Sequence, residues 1–451
     1  MFTEGQEVTL TINGLAFGGE GVGRVEQVPV FVPDVCPGEV VSAQISEVKK
    51  RFARGRLEQV IEPAPARVAP PCPIFGICGG CQLQHLDYPA QVAAKTQMVA
   101  DIMTRVGHLP DVPIAATVPS ALPFGYRNKV ELTCAPAADG TLALHFHQRE
   151  ADRLVEVAHC PIALPEVNLL IEELGYWLNE TGWPAYDPAT GEGLVRSLAL
   201  RYSTSAREAT VVLTTGRREL PEKNLAIDRL RKRLPQVVGL RHLARTRASQ
   251  SAEGRPVGDL VGRPLRFKVA DLSLRVSPEA FFQVNDLMLE PMWQHLRTAL
   301  EPRSQDHLAD LYGGVGTFGM LLARDVERVT ILEIDSTAAH DARANARFNE
   351  LAQVEVVRGQ VEQNLADLHR ERAINLVVLD PPRRGLSEGV IGVLARLKPR
   401  RIAYISCDPA TLARDLERFA QAGLGTLGVQ PFDLFPQTGH IESIATIAPR
   451  R

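Results

Sequence analysis

The sequence predicts a multi-domain chain. It has a small amino-terminal β-barrel over residues 1–62, a central α/β domain with a cysteine cluster over 63–280, and a doubly wound, Rossmann-like α/β domain over 281–451. Three observations predict this. Apolar runs of strand length alternate with helical spacers after Ser277. Cys72, Cys78 and Cys81 crowd together just after a proline- and alanine-rich stretch, 63–73, that reads as a linker. The residues before that linker alternate apolar and polar between glycine turns. At 451 residues, 45% hydrophobic and 23% charged, the chain is long enough for two or three cored domains. A net charge of −3 excludes a global field for a polyanion, so any nucleic-acid contact must come from local patches. The start, Met1 to Glu7, has neither a basic nor an apolar run, and no stretch is apolar long enough to cross a bilayer. A cytoplasmic setting is expected, with the seven cysteines read as ligands, nucleophile or filler rather than disulfides.

In the barrel, Glu7 to Gly14 alternates, Gly18 to Gly23 is a turn-rich loop, and Val28 to Val35 and Glu39 to Ser46 resume strand character. Residues 49–56 then hold five cations and one aromatic, including Lys49, Lys50, Arg51 and Arg54. Such a run suits phosphate contact with base stacking, although residues 1–62 as a whole carry six cations against nine anions.

The cysteines at 72, 78 and 81, with Gly79 and Gly80 letting the backbone fold around a bulky ligand, form a metal signal. Zinc and iron–sulfur sites both want four thiolates or a histidine substitute, so His85, Cys134 and Cys160 are candidates for the fourth ligand. Cys160 is favoured because Cys160-Pro161-Ile162 repeats Cys72-Pro73-Ile74. Between Asp87 and 280 the spacing predicts a helix over 91–106 and strands at 129–134, 142–146, 198–202 and 209–215, the last two as a hairpin. Arg127, between aromatics and Lys129, is a further candidate for nucleic-acid contact.

In the third domain, Ser277-Pro278 is expected to open a helix running to about Leu300. Strands follow at 307–312, 329–335, 354–358, 374–380 and 401–406, with helices at 317–324 and 336–350 and an antiparallel edge after Gly425. Asp310 precedes a loop with glycines at 313, 314, 316 and 319, and Glu333 ends the next strand, where an acid can take both ribose hydroxyls of an adenosine. The glycine spacing is not that of a dinucleotide fingerprint, and an acid ahead of the loop suits S-adenosylmethionine better than NAD. Asp380 is followed by two prolines and Arg383 at the end of the fourth strand, and the fifth strand ends in Cys407. Glu442 is a further acid that can face the same rim. Carbon 5 of uracil becomes nucleophilic when a thiolate adds to carbon 6, and a base must later remove the carbon 5 proton; Cys407 and Glu442 suit these two roles.

With these motifs in hand the chain resembles, over essentially its full length, the RNA 5-methyluridine methyltransferases, in particular the subgroup with an iron–sulfur cluster and an amino-terminal TRAM domain, an RNA-binding barrel of OB-like shape. The Gly-Glu-Gly-Val-Gly-Arg loop and basic hairpin, the cysteine run, Phe281-Phe282-Gln283-Val284-Asn285, the glycine loop, Asp380-Pro-Pro-Arg, Ser-Cys407-Asp-Pro and His-Ile-Glu442-Ser carry the resemblance. It implies that Cys72, Cys78, Cys81 and Cys160 hold a 4Fe-4S cluster. It implies that Gln283, Tyr312, Gly314, Glu333 and Asp380 bind S-adenosylmethionine, with Cys407 as nucleophile and Glu442 as base. The implied substrate is RNA, 23S ribosomal RNA as first reading and a transfer-RNA T-loop uridine as alternative. A metal-stabilised RNA-binding protein without activity is the reading from another class, and a DNA cytosine methyltransferase lacks its Pro-Cys pair around Cys407. Two positions depart from the family pattern: Gly313 stands where a cysteine is common, and Asp408 where asparagine often follows the nucleophile.

Overall fold

The computed structural model describes residues 2–137, 139–149, 153–246 and 254–450. Strands β1 (Glu7–Leu15), β2 (Gly21–Val25), β3 (Val28–Val32), β4 (Val40–Val48) and β5 (Ala53–Glu62) close a barrel in the order β1-β2-β3-β5-β4. Alternation is the cause: Val8, Leu10 and Ile12 of β1 point inward and meet Val30, Val32, Val41, Ala43 and Ile45. The basic run spans the β4–β5 turn and the start of β5, which carries Arg54 and Arg56.

Helix α1 (Tyr88–Arg105) starts at Asp87, whose carboxylate caps Ala90 N–H at 2.8 Å. The central domain is a seven-stranded sheet of β6 (Lys129–Pro136), β7 (Leu142–His147), β8 (Leu154–Glu156), β9 (Val195–Ser203), β10 (Glu208–Thr215), β11 (Val237–Ala244) and β12 (Arg255–Gly262), in the order β12-β11-β10-β9-β6-β7-β8. Helices α2 (Pro165–Thr181) and α3 (Lys223–Arg233) cover one face through Leu170, Leu174, Trp177 and Leu230. The expected β9–β10 hairpin is present.

A hairpin of β13 (Leu265–Val269) and β14 (Leu272–Val276) packs into the same core as α4 (Leu289–Leu300) and the sheet that follows. The helix expected from Ser277 begins only at Leu289, after a 3-10 turn. The carbonyls that would continue it accept elsewhere: Ala280 from Arg201, Gln283 from the Asn128 side chain, and Val284 from Asn128 N–H. Tertiary hydrogen bonds thus hold residues 277–285 open against the central domain.

The last sheet contains β15 (His307–Leu311), β16 (Arg328–Glu333), β17 (Val354–Arg358), β18 (Leu376–Leu379), β19 (Arg401–Ser406), β20 (Leu424–Phe432) and β21 (Glu442–Pro449). Their order is β17-β16-β15-β18-β19-β21-β20, parallel up to β19, with β21 antiparallel between β19 and β20. Helices α5 (Thr317–Leu321), α6 (Ser336–Phe348), α7 (Val361–Glu371), α8 (Glu388–Leu397) and α9 (Pro409–Gln421) connect them; α5 is shorter than expected. Strand order reverses between β15 and β18, so the loops after these two strands frame the crevice in which such sheets bind ligands. Among the described residues no helix is long and apolar enough to cross a membrane.

Candidate active site

The glycine loop is built around one buried acid. Asp310, 1% exposed, accepts Gly319 N–H at 2.9 Å, and a Cβ on Gly313 or Gly319 would press within 3.0 Å of its carboxylate. That crowding accounts for glycine at 313. Tyr312 takes a left-handed backbone (φ 62°), as do Gly314 and Gly316, which turns the chain away from β15. The turned-out Gly314 N–H donates to Glu333 at 2.9 Å, and Asp335 N–H donates to the other carboxylate oxygen at 2.7 Å. Glu333 is thereby fixed at the end of β16. Tyr312 Oη lies 3.4 Å from Glu362.

Asp380, following β18, faces this loop from across the switch point. Burial, with Asp310 and Glu333 adding to it, pushes its carboxyl up to about 7. Burial likewise pushes Asp310 to about 7, against the lowering effect of the Gly319 N–H. Acids concentrated like this favour a cationic ligand.

Ser406 pairs with Ser443 in the antiparallel β19–β21 ladder, and continuing that register by one residue sets Cys407 opposite Glu442. Glu442 is 3% exposed; burial and Asp380 drive its pKa well above the ordinary carboxylate range, while Arg383 opposes them. Burial pushes the Cys407 thiol up to about 11, with Glu442 and Asp380 adding and Arg383 lowering it. Arg383 therefore faces both groups. Its place in Asp380-Pro-Pro-Arg383 is the sequence signal for it, although spacing alone assigns it no role. Asp408 does have a role: its carboxylate caps α9, accepting Ala410 N–H at 3.0 Å and Thr411 N–H at 2.8 Å.

The loop leading to Glu442 is held by α1 and by the barrel. Lys95 of α1, fully buried, donates to Asp433 at 2.6 Å and to the Phe435 carbonyl at 3.0 Å. Gln91 exchanges hydrogen bonds with Gln437. From the barrel, Gly18 N–H donates to the Gly439 carbonyl at 3.2 Å, and Phe17 sets its ring edge-on to His440 at 5.8 Å.

Cys72, Cys78, Cys81 and Cys160 line one cavity of about 860 Å³, which runs on to Phe281, Arg383 and His440. The Cys81 thiol has Cys160, Cys78 and Cys72 as charged neighbours when ionised. The two other fourth-ligand candidates stand elsewhere: Cys134 is buried in the central core, and His85 bonds the Val35 carbonyl at 3.1 Å. Among the described residues no group of three or more His, Cys, Asp or Glu is placed to hold a metal ion. Of the basic candidates, Lys49 pairs with Glu47 and Arg54 with Glu20, Lys50 and Arg51 are exposed at the barrel turn, and Arg127 lines the cavity. Gln283 is buried in the segment 277–285, its carbonyl taken by Asn128.

The chain is similar over its length to known proteins. The family described as tRNA (Uracil-5-)-methyltransferase matches residues 87–448, and the TRAM domain matches residues 2–57. An uncharacterized RNA methyltransferase of Synechocystis sp. is 34% identical over 98% of this chain and 96% of its own length. Another, from Halalkalibacterium halodurans, is 33% identical with the same coverage. Among solved structures, the Pyrococcus abyssi tRNA (uracil-54, C5)-methyltransferase in complex with S-adenosyl-L-homocysteine superposes with a TM-score of 0.77 at 24% identity, covering 98% of this chain and 100% of that one.

Proposed function

The chain belongs to the tRNA (uracil-5-)-methyltransferase family and carries a TRAM domain, and from that premise we propose that it methylates carbon 5 of one uridine in RNA through a covalent cysteine–uracil adduct. It is an enzyme, an RNA uracil-5-methyltransferase. The observation that supports the covalent reading is the Ser406–Ser443 pairing, one residue from Cys407 and Glu442, whose charges act on each other beside the acid-lined crevice. A non-catalytic RNA-binding protein has no use for that arrangement.

The residues present fit S-adenosylmethionine, which supplies an electrophilic methyl group when bound. Asp310, Asp380 and Glu333 surround the crevice with negative charge that a sulfonium relieves, and Gly314, whose Cβ direction is open, gives room beside Glu333. Cys407 adds as thiolate to carbon 6 of the uracil, its proton leaving to water, and the ring electrons move to carbon 5. Arg383 favours the thiolate. After methylation Glu442 as carboxylate takes the carbon 5 proton, and the electrons of that C–H bond re-form the 5,6 double bond as sulfur departs. A target base inside a stack cannot reach such a site, so the uridine is presented unstacked.

The donor set also fits a 4Fe-4S cluster: Cys72, Cys78, Cys81 and Cys160, which line one cavity, would hold it through their thiolates. Cluster and barrel together favour 23S ribosomal RNA as substrate; a transfer-RNA T-loop uridine is the second reading, favoured by the family's description.

The test is the adduct. Cys407→Ala should abolish both methyl transfer and any RNA adduct on denaturing gels, and undiminished turnover would refute the mechanism. Glu442→Gln should methylate once and stay attached to RNA; release at the normal rate would exclude Glu442 as base. Protein purified without oxygen should be brown and contain iron, whereas a colourless protein with one tight zinc refutes the cluster.

A further inference from the structure

Residues 195–263 hold fifteen Lys and Arg against six Asp and Glu, in a chain whose totals are 50 against 53. Pairing decides where this excess goes. Val195, Thr215, Ala244 and Arg255 stand side by side in one row across β9, β10, β11 and β12. At about 4.8 Å per strand the row is about 14 Å wide. Arg196 follows Val195, Arg217 and Arg218 follow Thr215, Arg245 follows Ala244, and α3 begins nearby at Lys223. With Arg255 itself, six cations gather at one end of the central sheet.

Arg217, Arg218, Lys223, Arg245 and Arg255 are exposed, and among the described residues none of the six forms an ion pair, unlike Arg233, Arg241 and Arg263 of the same domain. Arg196 is fixed with its guanidinium 3.4 Å above the Tyr186 ring and has Arg245 as a like-charged neighbour. Arg218 and Lys223 both act on His242, which burial and these two cations hold down at about 4. His242 itself bonds Thr215, a member of the row, at 2.7 Å. The acids within four residues of these cations are Glu192, Glu219, Glu222, Glu253 and Asp259, and Asp259 pairs with Arg241 instead.

This surface has charge without stacking platforms. Tyr202 is the only Phe, Tyr or Trp in residues 195–263, and it is buried. Single-stranded sites combine cations with exposed aromatic rings, whereas contacts to phosphates alone suit the outside of a helical stem. The row also lies far from the chemistry. At the other end of β9, Arg201 donates to the Ala280 carbonyl at 2.9 Å, beside the Gln283 segment. The nine residues of β9 separate the two ends by about 26 Å. We infer that Arg196, Arg217, Arg218, Lys223, Arg245 and Arg255 form a docking surface for the phosphate backbone of a helical stem of the substrate RNA, remote from the target uridine. The inference rests on the RNA-methylating reading above, but not on which uridine is modified.

The experiment uses the full chain carrying Arg217→Glu, Arg218→Glu, Arg245→Glu and Arg255→Glu, with a parallel variant carrying Lys at the same four positions. Three probes serve: unmodified 23S ribosomal RNA and transfer RNA transcripts, an RNA duplex two turns long, and a short single-stranded oligonucleotide with a central uridine. The Glu variant should bind duplex and whichever transcript is a substrate at least about tenfold more weakly. Its slope of log affinity against log salt should become shallower by about one for each phosphate it no longer neutralises. Its kcat on the transcript and its affinity for the oligonucleotide should match wild type, and the Lys variant should bind like wild type. Unchanged duplex affinity and salt slope would overturn the docking surface, as would an equal loss on the oligonucleotide. Absence of methylation by the wild-type protein on every transcript would sink the proposed function instead, because duplex binding is read without turnover.

Discussion

Removing Lys95 tests how the loop that carries Glu442 is held. Lys95 and Asp433 are both fully shielded from solvent, with Nζ 2.6 Å from the carboxylate, and the Tyr88 hydroxyl is the carboxylate's other side-chain neighbour. Lys95→Met keeps the length and apolar body of the side chain but leaves a buried carboxylate without its cation. Breaking a buried pair from one side costs about 3–5 kcal/mol, and Asp433→Leu alone should cost a similar amount by stranding the ammonium. The double variant removes both charges at nearly constant shape and should recover most of the loss, giving a coupling energy of about 3 kcal/mol or more. Urea unfolding followed by tryptophan fluorescence supplies the four corners of the cycle. Hydrogen exchange localises the effect, which should raise exchange in residues 432–441 and in α1 before it reaches the barrel. Two single variants each within about 1 kcal/mol of wild type, with additive effects in the double, would refute the reasoning, since water would then be solvating the pair.

Other consequences follow from single side chains. Asp408→Ala should lose about 1 kcal/mol through the missing α9 cap and lower adduct yield with it, while Asp408→Asn, able to accept the same N–H groups, should restore both; failure of Asn to rescue would point to contact with the uracil. Without ligands, alkylation of Cys407 should accelerate nearly tenfold per pH unit between pH 7 and 9, because its thiol titrates near 11. Arg383→Met should slow alkylation at each pH by removing the cation that favours the thiolate, and an unchanged rate would displace Arg383 from the site. Asp380, raised from 3.8 to about 7, holds a proton in the folded state that the unfolded chain releases, so its contribution to stability is present at low pH and falls as pH rises between about 4 and 7. Asp380→Asn should flatten that part of the pH–stability curve, and an identical slope would show the carboxyl to be solvated.

Local pattern made much of the site legible. The β19 run ending in Cys407, the Asp310-to-Gly319 loop with Glu333 ending the next strand, and the antiparallel edge after Gly425 all follow from side-chain period and turn chemistry, which neighbouring residues settle among themselves. Residues 277–285 show where that reasoning stops: their sequence allows a helix, but Arg201 and Asn128, far away in the chain, claim their carbonyls.

By itself, then, the sequence determined which residue types stand at strand ends and loops, and so named Cys407, Glu442 and the four cysteines as a chemical set. Register and topology, which depend on pairings between distant segments, were decided only in three dimensions. The Ser406–Ser443 pairing brings Cys407 near Glu442, Asp408 turns out to be a helix cap, and Arg383 becomes the cation that acts on both thiol and acid. Pairing among β9, β10, β11 and β12 gathers scattered cations at one end of the central sheet, which no window of adjacent residues could reveal.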